Sequence, residues 1–165
     1  MSEDKLWSVM RTAAILTNPK EIGIKNLSEK DISVFGVVMD IGYEEGTATL
    51  ISYITGDASL YYSFGGGFVN GASKAEIKNA AIKFVTEAQE YLQKAEPVKE
   101  VSVPKLNEIF FYLLSNKGLF LLKANIEKIN ELSELFKTAN TVISAINVYS
   151  EVKLKHKYFG FTKKA

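Results

Sequence analysis

Leu60 to Ser73 reads LYYSFGGGFVNGAS, and the fold turns on how this stretch is parsed. Leu60, Tyr62 and Phe64 alternate with Tyr61 and Ser63, which is the two-residue period of a strand. The run stops at Gly65-Gly66-Gly67, and a helical pattern begins a few residues later. Glycine tolerates positive φ and close approach, and an ordinary turn needs only one or two such residues. Three in a row therefore suggest either a strand-to-helix connection packed tightly on a neighbour or a nest of backbone N–H groups that receives an anion. The second reading names Gly65, Gly66, Gly67, Gly71 and Ser73 as a candidate phosphate or small-ligand site. Its match to known loops is partial. Gly66 and Gly71 have the spacing of a phosphate-binding loop, but Ala72 stands where the lysine belongs. A dinucleotide fingerprint fails because Asn70 stands where its last glycine belongs.

Downstream of the glycines, Ser73 and Glu76 have capping-box spacing. Ile77, Ala80, Ala81, Phe84, Val85, Ala88 and Leu92 then make one apolar helical stripe. Upstream, Gly56-Asp57 joins Thr47–Thr55 to Ala58–Phe64 as a hairpin. Thr47, Thr49, Ile51, Tyr53 and Thr55 share one face, which needs cover from Trp7's helix or from a partner. Val34 to Ile41 is a further strand, with Phe35, Val37, Met39 and Ile41 on one face. Asp40, Glu44 and Glu45 cluster at its end and read as a solvated acidic turn, since no EF-hand spacing is present.

Toward the N-terminus, Lys5 to Leu16 is a helix with Leu6, Met10 and Ala13 on one stripe and Trp7 beside it; Asn18-Pro19 ends it. Toward the C-terminus, residues 95–104 carry two prolines and read as a linker. Glu108 to Leu114 is apolar on both faces, so it lies centrally in a sheet that is covered on both sides. Asn116-Lys117-Gly118 turns it into Leu119–Lys123, and a last helix runs from about Glu131 to Tyr149.

The fold class is therefore α+β: an antiparallel sheet of about five strands with helices on both faces, in the order α-βββ-α-ββ-α. Residues 1–150 form one domain. Residues 151–165 are a basic extension with five Lys and one Glu, read as a sixth edge strand or a frayed tail, with His156 a partly exposed strand residue.

Composition removes several chemistries. There is no cysteine, so disulfides, thiolate nucleophiles and cysteine zinc sites are excluded. One histidine, His156, excludes a multi-histidine metal site in the body of the chain. Arg11 is the one arginine, so bidentate clamps on phosphate or guanine are nearly unavailable. The formal charge of +1 supplies no field for nucleic acid or an anionic membrane. No apolar run reaches membrane-span length and the start, MSEDKLW, lacks a signal pattern, so a cytoplasmic location is expected. No motif calls for a cofactor or a metal, and no pair of acidic or tyrosine side chains earns a catalytic role.

GTATLISYITGDASLYYSFGGGFVNGA (46–72), the helix after it, and IFFYLLSNKGLFLLK (109–123) resemble a bacterial family of small proteins. Its members share a GTATL-type strand, an LY-S-GGG segment and an (F/V)-Y-L hairpin before a final helix. The resemblance covers roughly residues 34–149, brings no catalytic residues, and does not include the basic tail. At fold level the order is similar to the profilin, longin and roadblock class, which implies a scaffold that commonly dimerises. The expected function is a non-enzymatic interaction or regulatory module with a protein partner or a second copy. Trp7, Thr49, Ile51 and Tyr53 are its candidate interface. The alternatives are a ligand-binding protein using the glycine loop and an immunity-type protein that plugs a toxin's site.

Overall fold

In the computed structural model, which describes residues 1–69 and 71–149, β1 (Val34–Tyr43) is the axis of the sheet. It pairs antiparallel with β2 (Gly46–Tyr53) on one side and with β6 (Glu108–Ser115) on the other. Both central strands are buried along nearly their whole length, as their largely apolar sequences demand. Outward from β2 come β3 (Ala58–Tyr62) and the two-residue β4 (Gly67–Phe68); outward from β6 come β7 (Gly118–Asn125) and the three-residue β5 (Glu96–Val98). The order is β4-β3-β2-β1-β6-β7-β5, and every pairing is antiparallel.

The architecture is α+β as expected, with seven strands among the described residues rather than about five. The two additions are the short edges. Residues 95–104 are not all linker, because Glu96–Val98 pairs with β7. Pro97 is compatible with pairing there because an edge strand has a side that needs no donor. Residues 99–107 then cross back toward β6 as a strap.

Three helices complete the layers. α1 (Glu3–Ile15) lies across β1, β2 and β3 on one face. α2 (Ala75–Ala88) carries the chain over the opposite face, from the β4 edge toward β5, and α3 (Ser133–Tyr149) packs beside it. Val37, Met39, Ile41, Leu50, Phe111 and Leu113 point to α2 and α3, and Val38, Ile51, Phe110, Tyr112 and Leu114 point to α1.

Three local readings are corrected. Phe35 does not join Val37 and Met39; the register with β6 shifts between Val34 and Gly36, and this bulge sends Phe35 to the α1 face. The helix begins one residue later than the Ser73/Glu76 spacing suggests. Gly71–Ser73 is a 3₁₀ turn, Lys74 is the N-cap without a side-chain cap bond, and the Glu76 carboxylate accepts from Tyr149 Oη at 2.9 Å. On α1, Trp7, Arg11 and Ala14 are buried and Met10 packs with them, while Leu6 and Ala13 face outward, so the inner stripe is rotated from the one expected. The expectations for residues 151–165, His156 included, lie outside the described residues.

Candidate functional site on the α1 face

Trp7, Arg11 and Ala14 follow one another at helical spacing, so α1 presents an arginine to the centre of an apolar sheet face. An unpaired guanidinium there would be very costly, and β1 supplies its partner. Asp40 has the opposite parity to Val37, Met39 and Ile41, so it points at α1. Arg11 Nε donates to Asp40 Oδ2 at 2.8 Å and its Nη2 lies 2.7 Å from the same oxygen. Thr49 Oγ1 donates to Asp40 Oδ1 at 2.6 Å and accepts from Trp7 Nε1 at 2.9 Å. Asp40 is thus a fully buried ion-pair partner and not part of a solvated turn with Glu44 and Glu45.

The strap closes this network. Arg11 Nη2 donates to Ser102 O at 2.8 Å, Tyr112 Oη donates to the same carbonyl at 2.7 Å, and Ser102 N donates to Tyr112 Oη at 2.9 Å. The guanidinium carbon sits 5.8 Å from the Trp7 ring centroid and 5.5 Å from that of Tyr112, within cation–π range. Burial pushes the Asp40 carboxyl up from its usual range, and the Arg11 pair and the Thr49 hydroxyl pull it back. Both carboxylate oxygens have partners and neither reaches solvent. The chemistry of this cluster is to fix α1 and the strap on the sheet.

The candidate interface residues lie beneath or beside α1. Trp7, Thr49 and Ile51 are buried; Tyr53 is half-buried, its hydroxyl 3.0 Å from Thr17 Oγ1. Outward from them is a feature the sequence reading missed. Leu6, Val9 and Leu16 are 46%, 49% and 75% exposed, and Ala13 is exposed between them. Their spacing of three, four and three is that of a helix–helix seam. By contrast, the outer faces of α2 and α3 show Asn79, Lys83, Thr86, Lys137, Thr141 and Ser144, with one large aliphatic side chain, Val148 at 77% exposure, at the end of α3. At the C-terminal end of the stripe, Leu16 and Val101 line a groove of about 460 Å³ between α1 and the strap, floored by Phe35 and Leu119.

At the other end of α1 lies the glycine turn. Gly65 and Gly66 have φ of +113° and +86°, which explains why glycine is needed at both. Gly65 N donates to Tyr62 O, and Gly66 O accepts from Tyr62 N. Gly67 is in β4, where a Cβ would come within 2.7 Å of Leu60 O; a Cβ on Gly71 would come within 2.8 Å of Ala58 O. Gly66 and Gly67 line a pocket of about 280 Å³ with Glu3, Leu6, Trp7 and Tyr61, and Gly71 and Ser73 are not among its walls. The Glu3 carboxylate stands where a Cβ on Gly65 would be, so the turn faces an acid and two aromatic rings.

Among the described residues, no three His, Asp or Glu side chains gather as a metal site, and no helix is long and apolar enough to cross a membrane. Set against known proteins, the chain finds no matching family model, no matching curated protein and no matching solved structure.

Proposed function

We propose that this chain is a protein-interaction module that pairs with a second copy of itself through the outer face of α1. The observation that carries the reading is that α1 carries two apolar stripes. Its inner side is consumed by the sheet; its outer side, Leu6, Val9, Ala13 and Leu16, is left exposed by the other described residues. Ala13 in mid-seam allows a second helix to approach closely, and a stripe of this kind is self-complementary about a two-fold axis.

Size constrains the contact. A helix of this length offers a strip of roughly 20 by 10 Å, well below the ~800 Å² per partner of a standard interface. The strap beside it, with Val101 and Val103 at 43% and 48% exposure, has to be included. The Arg11–Asp40 lock then has a purpose, because helix and strap form one interface only if held in register.

Light scattering on the full chain should report twice the chain mass. Val9→Glu and Leu16→Glu should each give a monomer while changing folding stability by no more than ~0.5 kcal/mol, as expected of exposed positions. A wild-type chain that stays monomeric at every concentration tested would overturn the reading.

A further inference from the structure

The outer stripe of α1 and the exposed pair on the strap are each symmetric about one level. Leu6 and Leu16 lie five residues either side of position 11, and Val9 and Ala13 lie two either side of it. Val101 and Val103, both exposed, flank Ser102. Arg11 Nη2 donates to Ser102 O at 2.8 Å, so the midpoint of the helix stripe and the midpoint of the strap pair are tied side by side. Val98 and Val101 line one groove with Ile15 and Leu16, and the strap then reaches Arg11 at Ser102. It therefore runs back along α1 from the helix's C-terminal end.

A two-fold axis that crosses α1 at this level serves both elements at once. It sets Leu6 on Leu16 of the second copy, and Val9 on the second copy's Ala13, large against small, so that the two stripes interdigitate. On the strap it sets Val101 on Val103 of the second copy. An axis running along α1 would instead stack Ala13 on Ala13 and leave a gap between the helices. It would also bring together the acidic first turns, Glu3 and Asp4, of both copies. The crossing axis keeps those turns roughly 20 Å apart, the length of a 13-residue helix. We infer that two copies pair with their α1 helices antiparallel, about a two-fold axis at the level of the Arg11–Ser102 bond. The inference rests on the pairing proposed above and supplies its geometry. It also meets the need for area, because helix faces helix and strap faces strap in one continuous contact.

The chain has no cysteine, so single introduced cysteines report which positions face each other. A disulfide forms readily only where the two Cα atoms come within ~7 Å. On oxidation, Leu6→Cys mixed with Leu16→Cys should give the mixed disulfide about 10-fold faster than either variant links to itself. Val9→Cys mixed with Ala13→Cys should do the same, and Val101→Cys mixed with Val103→Cys tests the strap. Light scattering on the same chains before oxidation separates two failures. If the mass is doubled but Leu6→Cys links chiefly to itself, or no mixed pair is favoured, the antiparallel geometry is overturned and the pairing stands. If the mass is that of one chain, both fall. Charge gives a second reading without cysteine. Val9→Glu, monomeric alone, should regain the doubled mass when mixed with Ala13→Lys and not when mixed with Val9→Lys. The reverse result would overturn the inference.

Discussion

Arg11→Met will destabilise the fold by about 3–5 kcal/mol, the cost of stranding a buried charge when its partner is removed. Asp40 would be left fully buried with Thr49 as its remaining side-chain donor, and the strap would lose the Arg11 bond to Ser102 O. Adding Asp40→Asn to Arg11→Met should restore stability by roughly 1.5 kcal/mol or more, because contacting residues are not additive and an amide keeps an acceptor for Thr49. The defect should also depend on pH. Burial already raises the Asp40 pKa, and removing Arg11 removes the largest opposing cause, so in the variant it rises further. A carboxyl whose folded pKa lies above its unfolded value of about 3.9 takes up a proton on folding. Its contribution to stability is greatest below that unfolded value and is lost as pH rises through the folded pKa. The deficit of Arg11→Met relative to the native chain is therefore largest at neutral pH and shrinks on acidification. Urea denaturation at several pH values measures this, and a deficit that is flat or grows toward acid would contradict the assignment.

The second large effect is expected at Gly42→Ala. A Cβ there would overlap the Lys105 carbonyl and lie 3.1 Å from Pro104 O. These are backbone atoms of the strap, which is tied to the same strand by Asn107 N donating to Gly42 O at 3.0 Å. Overfilling a packed site costs 1–3 kcal/mol, and a neighbour that cannot swing aside puts this one at ~3 kcal/mol. Gly36→Ala is the matched control. The nearest atoms there belong to the Tyr53 ring and the Leu114 side chain, which can turn away, so ~1 kcal/mol is expected. Gly42→Ala should also expose residues 99–107 to limited proteolysis, whereas Gly36→Ala should not. Equal costs at the two positions would mean that the strap is not held as described.

Periodicity explains which elements were legible before the structure. The stripe of α2 and the two-sided β6 carry patterns that only one arrangement satisfies. α1 carries two, because Leu6-Val9-Ala13-Leu16 and Trp7-Met10-Ala14 are both spaced as helix faces. What chooses between them is Arg11, whose partner Asp40 lies 29 residues away, and no local pattern reports a contact at that range. A signal was present nonetheless. Asp40 breaks an apolar strand at a parity opposite to Met39 and Ile41, and a sole arginine sits within an apolar helix face. β5 gave no signal, because three residues including Pro97 are too few for a period and owe their extended form to β7. The register shift at Phe35 was hidden for a related reason, since an extra residue in one strand is defined only by its neighbour. The glycine turn was found readily, but the sign of its surroundings was not, because Glu3 reaches it from the far end of the chain.

The brevity of β4 and β5 bears on how molecules of this kind can associate. Unsatisfied main-chain groups on a sheet's margin invite a foreign strand, and fibrils grow by that route. Among the described residues the outermost strand has two residues on one margin and three on the other, with an imino acid in the middle of the latter. Among the described residues neither short strand is long enough to template stacking by itself, so main-chain addition onto them is disfavoured and side-chain contacts are the better route to an oligomer.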